Sequence, residues 1–251
     1  MDQKEYWNSV SETKTFTLPF DGECFSEYVK KDSAIVDVGC GYGRVLKILW
    51  EEGYENLTGF DFSPMMICRA RRESPQIRFE TMEEERIALE DGSADAVILF
   101  AVLTCIVSDE KQEALIREIH RILKPDGILY VNDYLLNPNE RNQERYRKYE
   151  KELGVYGAFV LPEGAICRHH TEEHIRHLFR EFETQKYQHI VYTTMNGHES
   201  PGFTYIGKKP IKTLDASKVF YSVSYSLPRS LNIFFLYTST PGWLNGLMSS
   251  R

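Results

Sequence analysis

The chain has 251 residues, of which 42% are hydrophobic and 27% are charged, and its formal net charge is −7. This size suits one large domain, or one domain with an insertion. The acidic balance argues against a nucleic-acid backbone as the main partner, because phosphate contacts require clustered lysine and arginine. The N-terminal residues do not predict a signal peptide, and no apolar stretch reaches the roughly 20 residues that a membrane-spanning helix needs. Five scattered cysteines predict reduced thiols in a cytoplasmic protein.

From residue 34 onward, the chain alternates between predicted strands and predicted helices. Short apolar runs predict five buried strands, at residues 34–38, 57–60, 77–79, 94–100 and 128–131. Amphipathic spacing predicts helices between them, at residues 44–52, 65–72 and 110–123. Ser63 and Pro64 supply a capping hydroxyl followed by proline at a helix start. This alternation predicts an α/β fold with a doubly wound, mostly parallel sheet.

The pattern changes after the fifth predicted strand. Residues 137–168 are interpreted as an insertion over the ligand-binding edge, helical up to about Leu153, and residues 171–182 as a helix capped by Thr171. Residues 187–195 and 203–208 predict a closing antiparallel pair, which brings the sheet to seven strands with an antiparallel edge. We therefore expect a lead-in or lid at 1–33, a main domain at 34–210 and an aromatic-rich extension at 211–251. The extension is expected to pack on the domain or on a second copy in a homodimer.

A glycine-rich turn directly follows the first predicted strand. Residues 35–43 read Ile-Val-Asp-Val-Gly-Cys-Gly-Tyr-Gly, and the second strand ends at Asp61. Glycines after a strand allow a ligand to approach the backbone, and the following helix offers its positive N-terminal end to an anion. An acid about 20 residues further on is placed to accept the two hydroxyls of a ribose. These features predict a site for a nucleoside-containing cofactor.

Four motifs in register resemble the class I S-adenosylmethionine-dependent methyltransferases of the small-molecule type, across roughly residues 34–136. They are the glycine turn at 36–43, Gly-Phe-Asp-Phe-Ser-Pro-Met-Met at 59–66, Leu-Glu-Asp-Gly-Ser-Ala-Asp-Ala-Val-Ile-Leu-Phe at 89–100, and Ile-His-Arg-Ile-Leu-Lys-Pro-Asp-Gly at 119–127. The resemblance implies a Rossmann-like methyltransferase fold, an enzyme, and S-adenosylmethionine as the cofactor.

The resemblance also implies which residues bind that cofactor. The backbone of Gly39, Cys40 and Gly41 would hold the methionine moiety, with Asp37 near its ammonium or orienting the turn. Asp61 would accept the ribose hydroxyls. The remaining implied contacts are Phe62 against the adenine, Glu83 at the adenine amino group, or Met82 or Glu84 if the register is shifted by one, and Phe100 and Ala101 beside the sulfonium.

The activity implied is transfer of a methyl group to a small molecule by in-line displacement, with a general base needed only for a hydroxyl or a protonated amine. The catalytic residues are not identified by any motif. Candidates for the acceptor side are Tyr134, Tyr156, Arg168, His169 and His170. Tyr6, Trp7 and the 16–20 segment are expected to close over the cofactor from the N-terminal side.

Other functions fit parts of the same pattern. His170 and His174 have the spacing of two metal ligands on one helix face, but Thr171 between them predicts the helix start, so no metal site is expected. A protein or RNA methyltransferase is the main alternative, although the acidic balance and the insertion count against it. A non-catalytic S-adenosylmethionine-binding protein and an NAD-dependent oxidoreductase remain further hypotheses.

Overall fold

The computed structural model describes residues 3–83, 86–193 and 197–211. Within these residues, the helices are α1 Gln3–Val10, α2 Gly22–Ser26, α3 Arg44–Glu51, α4 Pro64–Glu73, α5 Asp109–Ile122, α6 Glu140–Leu153 and α7 Glu172–Leu178. The strands are β1 Ile35–Val38, β2 Leu57–Asp61, β3 Arg78–Thr81, β4 Ala94–Phe100, β5 Leu123–Tyr134, β6 Ala158–Val160, β7 Ile166–Arg168, β8 Glu183–Thr193 and β9 Glu199–Lys208. A short 3-10 helix, Leu103–Cys105, follows β4.

Seven of these strands form one sheet in the order β3-β2-β1-β4-β5-β9-β8. The first five pair in parallel, with Asp37 opposite Gly59 on one side and Ile98 on the other. Strands β9 and β8 are antiparallel to their neighbours. The predicted α/β fold with a mostly parallel seven-stranded sheet and an antiparallel edge is therefore confirmed. The carboxyl ends of β1, β2, β4 and β5 meet at one edge of the sheet, where ligands of open α/β sheets bind.

The central strands of the sheet are covered on both faces, which explains why β1 and β4 are largely apolar. Alternate residues of β1 point to opposite sides, so Val36 and Val38 join the core formed with α5 and α7, whereas Ile35 joins the core formed with α3 and α4. In the central strand β4, Val97, Ile98 and Leu99 are fully buried. This packing fixes the strand ends that carry the candidate site.

Several elements differ from the sequence prediction. Strand β5 begins at Leu123 instead of 128, because Leu123 pairs with Ala94 through an irregularity in the β4 register. The helix predicted to run to residue 182 ends at Leu178, and β8 begins at Glu183 instead of 187. The insertion contains α6 as predicted, and then a small hairpin of β6 and β7 that was not predicted.

Two predictions concern residues beyond the described part of the chain. Residues 212–251 lie outside it, and with them nearly all of the aromatic extension and the homodimer contact predicted there.

Among the described residues, no helix combines the length and the apolarity that crossing a membrane requires.

Asn132 joins the parallel and antiparallel parts of the sheet. Its buried side-chain amide donates to Tyr192 Oη at 2.9 Å and to Thr204 Oγ1 at 2.7 Å. Asn132→Ala should lower the free energy of unfolding by about 1–3 kcal/mol, because it leaves buried polar groups without partners. Gln188→Ala, on the exposed part of β8, should change it by less than about 0.5 kcal/mol. Urea unfolding measures both, and equal values for the two variants would contradict the structural role of Asn132.

Candidate functional site

The glycine turn after β1 has a backbone that other residues adopt with strain. Gly39 has φ +75° and Gly41 has φ +54°, both in the left-handed region that favours glycine. A Cβ on Gly39 would lie 2.5 Å from Val102 Cγ2, and one on Gly41 would lie 2.6 Å from Phe16 Cε2. The turn is therefore restricted to glycine by conformation and by close neighbours.

Asp61, at the end of β2, connects this turn to the start of α4. Its Oδ2 accepts the Gly41 N–H at 2.9 Å and its Oδ1 accepts the Ser63 N–H at 2.8 Å. Burial raises the pKa of the Asp61 carboxyl to about 6, although the two backbone hydrogen bonds act to lower it. Each carboxylate oxygen retains a further lone pair. The geometry thus allows Asp61 to accept ribose hydroxyls while it holds both loops.

Two buried polar atoms of opposite charge flank the glycine turn without partners among the described residues. They are Asp37 Oδ1 at the end of β1 and Arg44 Nε at the start of α3. Burial, and next the charge of Asp61, raise the pKa of Asp37 to about 7, while Arg44 acts to lower it. An unpaired buried polar atom is costly. A ligand with both an ammonium and a carboxylate, such as the amino-acid part of S-adenosylmethionine, fits this pair and the turn between them.

The other predicted cofactor contacts lie along the same edge. Met82 is buried and its N–H donates to the Asp61 carbonyl at 3.0 Å. Glu83 is exposed, and its backbone carbonyl accepts the Arg86 N–H at 3.1 Å. Phe62 packs against the α5 core. Phe100 lies between Phe20, with ring centroids 6.1 Å apart, and the Arg44 guanidinium at 5.5 Å.

The end of β4 is held in an unusual conformation by β5. Ala101 has φ +57° without being glycine, and its N–H donates to the Asn132 carbonyl at 2.8 Å. Asp133, which sequence reasoning missed, is fully buried and accepts the N–H groups of Tyr134 at 2.8 Å and Thr104 at 3.2 Å. Burial raises the pKa of Asp133 to about 7 against these bonds. The acid that ends an apolar strand was the sequence signal for this residue.

The N-terminal segment covers the glycine turn. Phe16 stacks on Tyr42 with ring centroids 5.0 Å apart, and its N–H donates to Tyr42 Oη at 3.0 Å. Asn8 Oδ1 accepts a 2.7 Å hydrogen bond from Ser63 Oγ. The Trp7 ring lies 6.1 Å from Phe16. The lead-in thus packs directly on the two loops that Asp61 joins.

Of the acceptor-side candidates, Tyr134 and His169 come together. Their rings stack with centroids 5.2 Å apart. His169 Nδ1 lies 2.7 Å from the hydroxyl of the buried Tyr146, a residue that sequence reasoning missed. Burial, and next the charge of Arg145, lower the pKa of His169 to about 3. The ring is therefore neutral at pH 7.

The other three candidates have different surroundings. His170 is engaged at both nitrogens, with Nε2 2.9 Å from Gln112 Nε2 and Nδ1 3.2 Å from the Tyr134 carbonyl. Gln112 Oε1 in turn lies 2.7 Å from His174 Nε2, so the two histidines are joined through an amide. Arg168 donates to the Val107 carbonyl at 2.6 Å and pairs with Asp109. Tyr156 is 40% exposed. His170 therefore connects the end of β5 to α5, and Arg168 connects β7 to the start of α5.

Replacing His169 should change how stability depends on pH. Its folded-state pKa lies below the ordinary value of 6.5, so the unfolded chain binds the proton first and stability is lost as the pH falls below 6.5. At pH 5.5 this costs about 1 kcal/mol. The loss in unfolding free energy between pH 7.5 and pH 5.5 should be smaller by that amount in His169→Gln than in the wild type. Gln188→Ala removes no titratable group and serves as the control, and a wild-type pH dependence in His169→Gln would contradict the prediction.

Comparison with known proteins agrees with this geometry. Residues 36–131 match the family described as a methyltransferase domain. The chain is 32% identical over 115 residues to the ubiquinone/menaquinone biosynthesis C-methyltransferase UbiE of Campylobacter jejuni, covering 43% of this chain and 48% of the relative. It is 30% identical over 168 residues to a human tRNA N(3)-cytidine methyltransferase, covering 62% of this chain and 43% of the relative. The chain thus spans about half the length of the curated relatives it matches.

A solved structure supports the fold. A SAM-dependent methyltransferase from Methanosarcina mazei superposes with a TM-score of 0.72 at 24% identity, covering 75% of this chain and 98% of that chain. Over residues 36–131 the chain therefore matches a methyltransferase domain, and its sheet has the fold of a solved SAM-dependent methyltransferase.

Proposed function

We propose that the protein transfers a methyl group from S-adenosylmethionine to a small-molecule acceptor by in-line displacement. The observation that carries the cofactor assignment is the buried trio around the glycine turn. Asp61 is held by two backbone N–H groups, while Asp37 Oδ1 and Arg44 Nε are buried without partners among the described residues. In the proposal, Asp61 binds the ribose, and Asp37 and Arg44 bind the charged ends of the methionine moiety.

When bound, S-adenosylmethionine supplies a methyl group that is already activated. The chain's own residues then have to align the acceptor and exclude water. Phe16 covers the glycine turn and Phe20 packs on Phe100, which closes the N-terminal side. The backbone of Ala101, which lies in the left-handed region, shapes the end of β4, where the methyl group would be transferred. His169 is a weak base with a pKa of about 3, so in this proposal its ring positions the acceptor and does not deprotonate it.

The small-molecule assignment is supported by the aromatic rings around His169, which itself stacks on Tyr134. The insertion places Tyr146 and Phe159 around His169, with ring centroids 5.8 Å and 5.0 Å from it. Buried rings favour an acceptor that is itself small and partly apolar. The net charge of −7 does not favour binding to a polynucleotide.

The five cysteines are free thiols, and on that basis we propose a cytoplasmic location.

A tRNA acceptor is the second candidate. The observation in its favour is the human tRNA methyltransferase relative, whose alignment covers 62% of this chain. The two candidates differ in the product that carries the methyl group. They also share the proposed cofactor residues, so cofactor binding alone does not separate them.

Labelled methyl groups separate these candidates. The purified protein is incubated with S-adenosylmethionine labelled in its methyl group and with a cell extract divided into low-molecular-weight, protein and RNA fractions. We expect formation of S-adenosylhomocysteine and transfer of label in the low-molecular-weight fraction. Label in RNA or protein alone would contradict the small-molecule assignment, and cofactor binding without turnover with any fraction would favour a non-catalytic binding protein.

Asp61→Asn should weaken binding of S-adenosylhomocysteine by about 1.5–3 kcal/mol, because it removes a charged acceptor of the ribose hydroxyls. Hydroxyl donors favour the ionised carboxylate, whose pKa is about 6. Wild-type affinity should therefore be highest above pH 6 and fall as the pH drops through that value. Calorimetric titration measures both effects. Asp91→Asn, at a side chain 82% exposed, is the matched control, and equal affinities of the two variants would show that Asp61 is misassigned.

A further inference from the structure

Arg145, on α6, carries a positive charge that no carboxylate neutralises among the described residues. Its guanidinium lies over the Phe159 ring, with Cζ 3.4 Å from the ring centroid, and donates to Asn142 Oδ1. Its Nε is buried and has no hydrogen-bond partner in the described part of the chain. Burial lowers the pKa of Arg145, yet an arginine side chain stays protonated in proteins. A half-buried cation of this kind is costly without a counter-ion.

The neighbouring cations are paired. Lys14 lies 3.5 Å from a Glu163 carboxylate oxygen and donates to Tyr6 Oη at 3.2 Å. Arg168 pairs with Asp109. The other lysines and arginines of α6 are exposed to solvent, so among the described residues of the insertion Arg145 is the partly buried cation that has no carboxylate partner. This charge matches one monoanion.

The position of Arg145 connects it to the acceptor side. Phe159, which its guanidinium covers, meets the His169 ring edge-on at 5.0 Å. His169 in turn stacks on Tyr134 at the end of β5. Arg145 is also the charge that, after burial, contributes to the lowered pKa of His169. A row of rings therefore leads from the end of β5 to the uncompensated guanidinium.

Resting on the proposed function, we propose that the methyl acceptor is a small carboxylic acid with a planar, unsaturated carbon skeleton, whose carboxylate pairs with Arg145. The guanidinium presents donors in a plane that suits a carboxylate. The partly exposed ring of Tyr134 supplies a flat surface for the carbon skeleton. Arg145 acts as a binding and specificity residue, separate from the residues assigned to the cofactor.

The test measures thermal stabilisation and affinity in the presence of saturating S-adenosylhomocysteine. The probes are benzoate and cinnamate, their neutral amides, and phenyl phosphate. We expect the carboxylates to raise the melting temperature and the amides and the phosphate not to do so. Arg145→Met should weaken carboxylate binding about tenfold or more, while Arg145→Lys, which keeps the charge but not the planar donors, should weaken it less. Arg147→Met, at an exposed position on the same helix, should bind carboxylates like the wild type.

Each outcome decides the proposal. Equal stabilisation by amides or by phenyl phosphate, no stabilisation by either carboxylate, or unchanged carboxylate affinity in Arg145→Met would overturn it. If Arg145→Met is not stabilised by S-adenosylhomocysteine and is therefore misfolded, the comparison of Arg145→Lys with Arg147→Met decides. Failure of the wild type to bind S-adenosylhomocysteine would instead count against the proposed function, so the two failures are distinguishable.

Discussion

The candidate site depends on one buried carboxylate that holds two loops together. Asp61 accepts N–H groups from Gly41 and from Ser63, so the turn after β1 and the start of α4 are fixed relative to each other by a single side chain. Burial alone would favour the neutral acid, and the two hydrogen bonds partly offset this. The same oxygens are those that the proposal assigns to a ribose. Structural support and ligand binding thus use one group, whose ionisation affects both.

A second buried carboxylate organises the acceptor side in a similar way. Asp133 accepts backbone N–H groups from Tyr134 and from Thr104, and it thereby fixes the end of β5 relative to the 3-10 helix after β4. Tyr134 is then held where it stacks on His169. The insertion adds Tyr146, whose hydroxyl lies 2.7 Å from His169 Nδ1. The parallel core therefore supplies the residues proposed to bind the cofactor, and the insertion lies beside the proposed acceptor side.

The sequence predicted the sheet, the glycine turn and Asp61 because these follow from local constraints: strand periodicity, left-handed glycine conformations and the spacing of a βαβ unit. The pairings of Tyr146 with His169 and of Phe16 with Gly41 join residues far apart in the chain, so no local pattern encodes them. The β6–β7 hairpin was missed because three-residue strands show no periodicity. Arg145 resembled any other charged helix residue until the absence of a carboxylate partner among the described residues became visible.

The central claim is that the trio of Asp37, Arg44 and Asp61 recognises S-adenosylmethionine. The most direct measurement is calorimetric titration of the wild-type protein with S-adenosylhomocysteine and, separately, with NAD. The account predicts that S-adenosylhomocysteine binds at one site per chain at pH 7.5 and more weakly at pH 5.5, and that NAD does not bind. Binding of NAD without binding of S-adenosylhomocysteine would contradict it.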